Sequence, residues 1–365
     1  MNKAKNKSME KDLVILAGKS AYYHIRENGL SESDIRIVLG ASGAAKWLTI
    51  QALDSVLFSQ WFKDRKEPLY LFGTSVGAWK FAAAAQKDPR RALDRLKDAY
   101  IHQSYRGLFT PAKVSGESRR VMRLFLSGAG IDEVLSHPFI RIGFSAVKCK
   151  NVLASHRHVV QGAGIWSAFE LNLLSRKLQG LYFERTMFHD PRYDTAVMDM
   201  TDFRTGFIAL TPLNFSKALL ASGSIPLLME GVTGIPGSPE GVFRDGGLLD
   251  YHPVFPMKPG SEKFILYPHF YPYLVPGWFD KKLTGRRAHG SLVDRVILVA
   301  PSPEFVARLP FGRIPDRQDF IRFKKKDGER IQAWQKAAEM GRILADAFME
   351  AVDGGCIKDR VRMIS

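Results

Sequence analysis

The chain has 365 residues, 45% hydrophobic and 11% aromatic, a composition that indicates a globular protein with a substantial apolar core. Its two cysteines, Cys149 and Cys356, exclude a disulfide framework, and no segment has the run of about 18 apolar residues that a transmembrane helix needs. The net charge of +16 predicts attraction to polyanions, either nucleic acid or an anionic membrane surface, with a solvated basic surface as the alternative.

The N-terminal residues 1–12 are polar and basic and predict a flexible basic tail. The apolar stretch that follows is about six residues long, which is too short for the core of a signal peptide. We therefore expect a cytoplasmic protein. No repeats or low-complexity linkers interrupt residues 13–365, which we expect to fold as a single domain.

Two consecutive segments share one pattern, an apolar strand followed by a turn of small residues and a helix. They cover residues 34–53 and 68–86, and their succession predicts βαβ construction with a parallel sheet. Further strands are predicted at 140–149, 205–211, 241–254 and 294–302, and helices within 88–136 and at 214–226 and 328–352.

The first of these turns, GASGAAKW at 40–47, is open to several interpretations. Lys46 follows alanine and precedes tryptophan, so the phosphate-binding Gly-Lys-Ser/Thr pattern is absent, and so is the G-x-G-x-x-G pattern of dinucleotide-binding folds. A plain tight turn is one alternative. The other is an oxyanion hole, in which the backbone N–H groups of Ser42, Gly43 and Ala44 point at one developing negative charge.

The second turn, GTSVG at 73–77, has the form of a nucleophile elbow. Gly73 and Gly77 avoid clashes where a strand turns sharply into a helix, and Ser75 between them is then exposed at the end of the strand. The five-residue pattern also occurs by chance. Its position between an apolar strand and an alanine-rich helix favours the functional interpretation.

The third turn, RDGGLLD at 244–250, contains Asp245 before two glycines. This aspartate is either a turn-forming residue or a carboxylate held rigidly at a strand end. A Ser-Asp-His triad is an alternative for the chemistry, because His252, His269 and His289 all follow Asp245 in the chain order of α/β-hydrolases.

Together these segments resemble the patatin-like phospholipases, a family with a glycine-rich oxyanion loop that ends in a basic residue, a G-x-S-x-G elbow, an ASxxxP-type block and a D-G-G motif. The chain carries SGAAK at 42–46, GTSVG at 73–77, ASGSIP at 221–226 and DGG at 245–247, followed by Pro253. The resemblance covers about residues 35–255. It implies a three-layer α/β/α sandwich with a mostly parallel central sheet and a Ser-Asp dyad that works without histidine.

The resemblance also implies roles for individual residues. Ser75 would be the nucleophile and Asp245 the base that takes its proton. The implied oxyanion hole is Ser42, Gly43 and Ala44, and the implied elbow and support residues are Gly73, Gly77, Lys46, Gly246 and Gly247.

Two residues depart from the family pattern. Ala44 replaces a glycine, which restricts the backbone there, and Trp47 stands where the family prefers glycine, which leaves the packing of the loop and the acyl pocket open.

The segment at 267–287 combines six aromatic residues and a histidine with prolines and four basic residues. Such a segment suits a membrane interface, where aromatic rings and cations meet anionic headgroups. The alternative is an irregular loop whose aromatic side chains cover the core.

The expected function is a lipid acyl hydrolase of the phospholipase A or esterase type, which cleaves fatty-acyl esters through an acyl-Ser75 intermediate. The alternatives are a Ser-Asp-His hydrolase and a non-hydrolytic relative, either an acyltransferase or a lipid-binding module, which Ala44 and Trp47 would favour. The expected partners are a phospholipid or other acyl-ester lipid and an anionic membrane surface that is touched transiently. No metal, cofactor or specific nucleic-acid partner is predicted.

Overall fold

The computed structural model describes residues 11–105, 110–155, 157–258 and 260–364. Its central element is a ten-stranded β-sheet. The sheet order is β10-β1-β9-β8-β2-β3-β4-β5-β6, with β7 paired to β4 beside this path. The strands are β1 (Leu13–Ala17), β2 (Ile35–Gly40), β3 (Leu69–Thr74), β4 (Ile140–Cys149), β5 (Phe183–His189), β6 (Thr205–Ala209), β7 (Val242–Asp245), β8 (Phe264–Pro268), β9 (Val296–Pro301) and β10 (Val361–Met363).

Most strand pairs in this sheet are parallel. β8, β2, β3 and β4 run side by side in parallel, whereas β4 pairs in antiparallel fashion with β5 and β7. Every residue of β3, β7, β8 and β9 is buried. Because successive side chains of a strand point to opposite faces, both faces of the sheet are covered. The predicted three-layer α/β/α architecture with a mostly parallel sheet is confirmed.

The covering layers consist of helices, and one of them follows β3 directly. The helix Val76–Ala84 packs against β2, β3 and β4, and all of its residues are buried. The α-helices are Lys19–Asn28, Gln51–Val56, Val76–Ala84, Pro89–Ile101, Pro111–Phe125, Gly130–Ser136, His158–Leu174, Phe215–Ser222, Pro303–Arg308, Asp319–Arg322, Asp327–Met340, Arg342–Asp353 and Ile357–Arg360.

The predicted long helix at 328–352 is in fact two helices that meet at Gly341. A Cβ atom at Gly341 would lie 2.5 Å from the carbonyl oxygen of Thr49. The close approach of these two backbones therefore requires glycine, and the helix is interrupted there. No helix among the described residues combines the length and the apolar composition that a membrane span requires.

The predicted tail at 1–12 falls mostly on residues 1–10, which lie outside the described residues. Asp12 is described and buried, and its carboxylate accepts a hydrogen bond from Arg308. The packed part of the chain therefore includes Asp12, one residue before the predicted boundary.

Candidate active site

The structure places Ser75 in a sharp turn between β3 and the helix Val76–Ala84, with φ 54° and ψ −125°. Residues other than glycine rarely adopt a positive φ, so the surrounding structure must hold this conformation. The two glycines allow it. A Cβ atom at Gly73 would lie 2.5 Å from the carbonyl carbon of Gly77, and one at Gly77 would lie 2.2 Å from the carbonyl oxygen of Gly40.

The side chain of Ser222, outside the elbow, links the elbow backbone to β4. The N–H of Ser75 donates to Ser222 Oγ over 3.1 Å, and Ser222 Oγ donates to the carbonyl oxygen of Ser145 over 2.7 Å. Ser222 belongs to the ASGSIP segment at 221–226. The motif therefore pointed to this residue, but the sequence did not predict that it binds the elbow. The bonds tie the turn after β3 to the middle of β4.

The sheet register explains why Asp245 meets Ser75. Thr74 at the end of β3 pairs with Ser145 of β4, and Asp245 at the end of β7 pairs with Ala146, the next residue of β4. Since β5 occupies one edge of β4, β3 and β7 share the other edge and run toward each other. Their carboxyl ends therefore meet at one point.

The two side chains are in direct contact at this meeting point. Ser75 Oγ donates a hydrogen bond to Asp245 Oδ2 over 2.8 Å. The other carboxylate oxygen, Oδ1, accepts from the N–H of Gly247 over 2.7 Å. Both oxygens of Asp245 are thus engaged, and the side chain is held in one orientation.

Burial of Asp245 raises the pKa of its carboxyl group from 3.8 to about 6. Desolvation of the charged form is the main cause. The hydrogen bonds from Ser75 and Gly247 oppose it, as do the positive charges of Arg317 and Lys281. The result is a carboxylate that is ionised at neutral pH but more basic than an ordinary aspartate.

The two glycines after Asp245 permit close packing around it. A Cβ atom at Gly246 would lie 2.2 Å from the carbonyl oxygen of Ser145, and one at Gly247 would lie 2.4 Å from Ser42 Oγ. Any side chain at either position would clash with these atoms.

The loop at 42–46 supplies fewer free N–H groups than predicted. The N–H of Ser42 donates to the carbonyl oxygen of Tyr251 over 2.8 Å, and its hydroxyl bonds to Thr74 Oγ1 over 2.8 Å. The prediction that Ser42 contributes an oxyanion-hole N–H is therefore wrong in this structure. The Ser42 N–H is instead used in a hydrogen bond between two loops, which no sequence pattern predicts.

Gly43 and Ala44 keep their N–H groups available. Within the described ranges, no acceptor takes a hydrogen bond from either group, and both residues line the same cavity as Ser75. Ala44 has a φ of 52°, a region that favours glycine. Gly43 lies against the ring of Phe270, where a Cβ atom would come within 2.5 Å. Position 44 thus holds alanine in a backbone region that favours glycine, and a side chain at position 43 would have to displace the ring of Phe270.

Trp47 points into the core and is 1% exposed. Its Nε1 donates to Asp54 Oδ2 over 2.8 Å, and Lys80 Nζ bonds to Asp54 Oδ1 over 2.8 Å. Among the described residues that line the cavity beside Ser75, Lys46 is present and Trp47 is not. The large side chain at position 47 therefore anchors the loop in the core and does not enter the cavity.

We expect Trp47→Ala to lower the free energy of unfolding by about 3–5 kcal/mol, because it leaves a cavity in the core and removes a hydrogen bond from buried Asp54. Urea denaturation followed by circular dichroism measures this change. Trp166→Ala, at a tryptophan that is 64% exposed, is the matched control and should change the free energy by less than about 1 kcal/mol. Equal losses in both variants would contradict the anchoring role of Trp47.

The three histidines that follow Asp245 do not reach the reacting side chains. His252 and His269 are buried against each other, with ring centroids 4.2 Å apart, and His289 is exposed. His252 Nδ1 accepts from the N–H of Val275, and burial lowers the pKa of both buried histidines, that of His269 to about 3. In the described part of the chain neither Ser75 nor Asp245 bonds to a histidine, so the triad alternative is not formed.

A cavity of about 260 Å³ opens beside Ser75 and Asp245. One part of its wall is apolar, and another part is formed by basic side chains. The apolar residues are Ile165, Ile225, Pro226, Leu227, Leu228, Leu248 and Trp278, and the basic residues are Lys46, Lys281 and Arg317.

The aromatic segment at 267–287 covers the core. Tyr267, Phe270 and Phe279 are all 5% exposed or less, which favours the core-covering interpretation over an exposed aromatic belt. From the same segment, Trp278 and Lys281 reach the cavity.

No protein-family model and no curated protein sequence matches the chain. Among solved structures, the chain is similar to VipD from Legionella pneumophila, with 10% identity over 90% of this chain and 70% of that protein and a TM-score of 0.35. It is also similar to human GIVD cytosolic phospholipase A2, with 11% identity over 97% of this chain and 66% of that protein and a TM-score of 0.34. Both TM-scores lie below 0.5.

Proposed function

We propose that this protein is a lipid acyl hydrolase of the patatin-like phospholipase type, which cleaves fatty-acyl esters with a Ser75-Asp245 dyad. The observation that carries the proposal is the hydrogen bond of 2.8 Å from Ser75 Oγ to Asp245 Oδ2. It joins a strained, elbow-held hydroxyl to a carboxylate whose pKa is raised, which is the arrangement that an activated nucleophile needs.

In the first half of the reaction, Ser75 Oγ attacks the ester carbonyl carbon while Asp245 takes the hydroxyl proton. The carbonyl oxygen becomes an oxyanion that the N–H groups of Gly43 and Ala44 stabilise. When the tetrahedral intermediate collapses, the bond to the alcohol breaks and Asp245 returns the proton to the departing oxygen. The product is an acyl ester on Ser75.

In the second half, a water molecule takes the place of the alcohol. Asp245 accepts a proton from this water as its oxygen attacks the acyl carbonyl carbon, and the same N–H groups hold the second oxyanion. Collapse releases the carboxylic acid, and the proton on Asp245 returns to Ser75 Oγ. The dyad is then restored without a histidine.

The apolar wall of the cavity supports a lipid as the acyl donor. Ile165, Ile225 and Leu228 offer hydrocarbon surface beside Ser75, and burying each methylene of an acyl chain there contributes about 0.8 kcal/mol. Neither Ala44 nor Trp47 removes a reacting group, so hydrolysis is favoured over a non-hydrolytic role.

The test of this proposal is labelling with a fluorophosphonate, followed by peptide mass spectrometry. We expect one modified residue, Ser75, in the native protein and no labelling of heat-denatured protein. Free fatty acid should also be released from ester lipids in water, and an added acceptor alcohol should not be preferred over water. A folded protein that stays unlabelled would overturn the proposal, and preferential transfer to the alcohol would identify an acyltransferase.

The pH profile should reflect the raised pKa of Asp245. The reacting form of the base is the carboxylate, so kcat/KM should fall as the pH drops through about 6 and should be constant above it. A neutral monomeric ester measured from pH 4.5 to pH 7 isolates this limb from charge changes in the substrate. An acid limb centred near 4, where an unperturbed aspartate titrates, would contradict this prediction.

We further propose that the helix His158–Leu174 contacts an anionic lipid surface during catalysis. Val159 is 86% exposed, Trp166 64% and Leu174 78%, whereas Ile165 of the same helix lines the cavity. Large exposed apolar side chains next to a substrate cavity suit transfer of lipid from a bilayer, and the net charge of +16 favours anionic headgroups.

The double variant Val159→Asp/Leu174→Asp should bind anionic vesicles of phosphatidylglycerol at least about tenfold more weakly, because it removes two apolar groups and adds two negative charges. Vesicle sedimentation measures this binding. Leu213→Asp, at a residue that is 82% exposed but outside this helix, serves as the control and should bind like the wild type. Equal binding by the double variant and the wild type would rule out this surface.

A further inference from the structure

Three basic side chains from separate parts of the chain line the cavity that contains Ser75. Lys46 belongs to the loop after β2, Lys281 belongs to the aromatic segment at 267–287, and Arg317 precedes the helix Asp319–Arg322. Only Lys46 belongs to a sequence motif. The convergence of the other two is a product of the tertiary fold.

Aromatic rings fix the positions of two of these cations. Lys281 Nζ lies 4.0 Å from the centroid of the Tyr251 ring and 5.2 Å from that of Trp278. The guanidinium carbon of Arg317 lies 6.0 Å from the centroid of the same Trp278 ring. Cations in contact with aromatic faces are held more firmly than freely solvated ones. Lys281 and Arg317 are therefore positioned around Trp278.

The positive charge in the cavity is only partly balanced. Lys46 Nζ pairs with Asp316 Oδ2 at 3.3 Å. Within the described ranges, neither Lys281 nor Arg317 has a carboxylate oxygen within 4.0 Å, so both lack an ion-pair partner there. The Lys281 side chain as a whole is exposed, but desolvation of its ammonium group, together with the positive charges of Arg317 and Lys46, lowers its pKa to about 7. An anion bound between them would relieve this repulsion.

The ordinary explanation is that these are surface cations of a basic protein. Lys282, the next residue in the chain, is of this kind, since it does not line the cavity. Lys281 and Arg317 differ from it because their charges lie 5.2 Å and 6.0 Å from the centroid of the Trp278 ring and face the same cavity as the reacting serine. Their position points to a ligand rather than to solvent.

We propose that Lys281 and Arg317, together with Lys46, bind the phosphoryl group of the substrate, which makes a phospholipid rather than a neutral glyceride the preferred acyl ester. This inference rests on the proposed function and specifies its substrate class. A guanidinium fork and two ammonium groups suit the several oxygens of a phosphoryl group better than a single carboxylate. A glycerophospholipid carries its phosphate and its acyl esters on one glycerol, so both groups fall within one cavity.

The binding experiment uses the Ser75→Ala protein, which separates binding from turnover. Isothermal titration calorimetry with three probes identifies the recognised group: monomeric dihexanoyl phosphatidic acid, dihexanoylglycerol and inorganic phosphate. We expect the phosphatidic acid to bind most tightly. Adding Lys281→Ala and Arg317→Ala should weaken its binding at least tenfold, and adding Lys282→Ala instead should leave it unchanged.

The catalytic experiment uses proteins that retain Ser75. The Lys281→Ala/Arg317→Ala variant should lose at least tenfold more in kcat/KM on dihexanoyl phosphatidic acid than on dihexanoylglycerol, because the loss of two charges near Asp245 affects both substrates alike. Thermal melting of the Lys281→Ala/Arg317→Ala variant and of Lys282→Ala checks that the fold is retained. A uniform loss on both substrates would overturn the phosphoryl assignment.

The outcomes distinguish this inference from the proposed function. Ester hydrolysis by the wild type with no effect of the Lys281 and Arg317 changes on either substrate would refute the phosphoryl site alone. Phosphatidic acid binding that depends on Lys281 and Arg317, without any ester hydrolysis by the wild type, would refute the hydrolase and retain the site. Inorganic phosphate binding as tightly as phosphatidic acid would show a free-phosphate site and overturn the headgroup assignment.

Discussion

Ser75→Ala is expected to lower kcat for ester hydrolysis by about 10⁶-fold, the loss seen when a serine nucleophile is removed from an acyl-transfer site. The reason is that no acyl-enzyme can form without Oγ. The remaining groups, Asp245 and the N–H groups of Gly43 and Ala44, would then face only the substrate and water. Steady-state hydrolysis of a short-chain ester measures kcat, and a fluorophosphonate should no longer label the variant.

Ser291→Ala is the control for this prediction, because Ser291 is exposed and lies outside the cavity. It should retain wild-type kcat and labelling. The Ser75→Ala variant should remain folded, because alanine at position 75 leaves the backbone bond to Ser222 in place, and thermal melting checks this. Residual hydrolysis above about one per cent of wild type would place the nucleophile elsewhere, since removal of the true nucleophile leaves far less.

Asp245→Asn is expected to lower kcat/KM by about 10²–10⁴-fold, the usual contribution of a general base. Asparagine has nearly the same shape and can still accept the hydrogen bond from Gly247, but it cannot take the proton of Ser75. A loss of this size with the fold intact would identify proton transfer, rather than positioning, as the role of the carboxylate.

The same substitution should stabilise the folded protein at neutral pH. Folding raises the pKa of Asp245 from 3.8 to about 6, so ionising it in the folded state costs about 3 kcal/mol at pH 7. This cost is absent below pH 3.8, grows between 3.8 and 6 and is complete above 6. We expect Asp245→Asn to unfold at higher urea concentration than the wild type at pH 7 and at the same concentration at pH 4.

The histidines provide the control for Asp245. His289→Ala, at an exposed position, should retain full activity. Full activity of Asp245→Asn combined with loss in a histidine variant would exclude the dyad and restore the triad.

The parts of the fold that the sequence predicted are those with a strong local pattern. The apolar run of β3, the two glycines of the elbow and the following helix Val76–Ala84 all have local causes, and so does the β4 strand at 140–149. β1, β5, β8 and β10 were not predicted. β10 has only three residues, and it owes its strand conformation to its pairing with β1.

In the site, the order of the motifs along the chain was the basis for pairing Ser75 with Asp245. Ser75 and Asp245 were predicted to act together, and the structure places them in contact. The sequence could not reveal that Tyr251 occupies the N–H of Ser42, or that Lys281 and Arg317 face the cavity. Both facts depend on how distant loops pack, and no periodicity or motif encodes such packing.

The meeting of β3 and β7 on one edge of β4 has a consequence for folding kinetics. Ser75 and Asp245 are 170 residues apart in the chain, and they come together only when β4 has accepted both strands. Pairings of such high sequence separation form late, because loop closure must precede them. During refolding from urea, recovery of hydrolysis should therefore lag behind recovery of the helical circular dichroism signal.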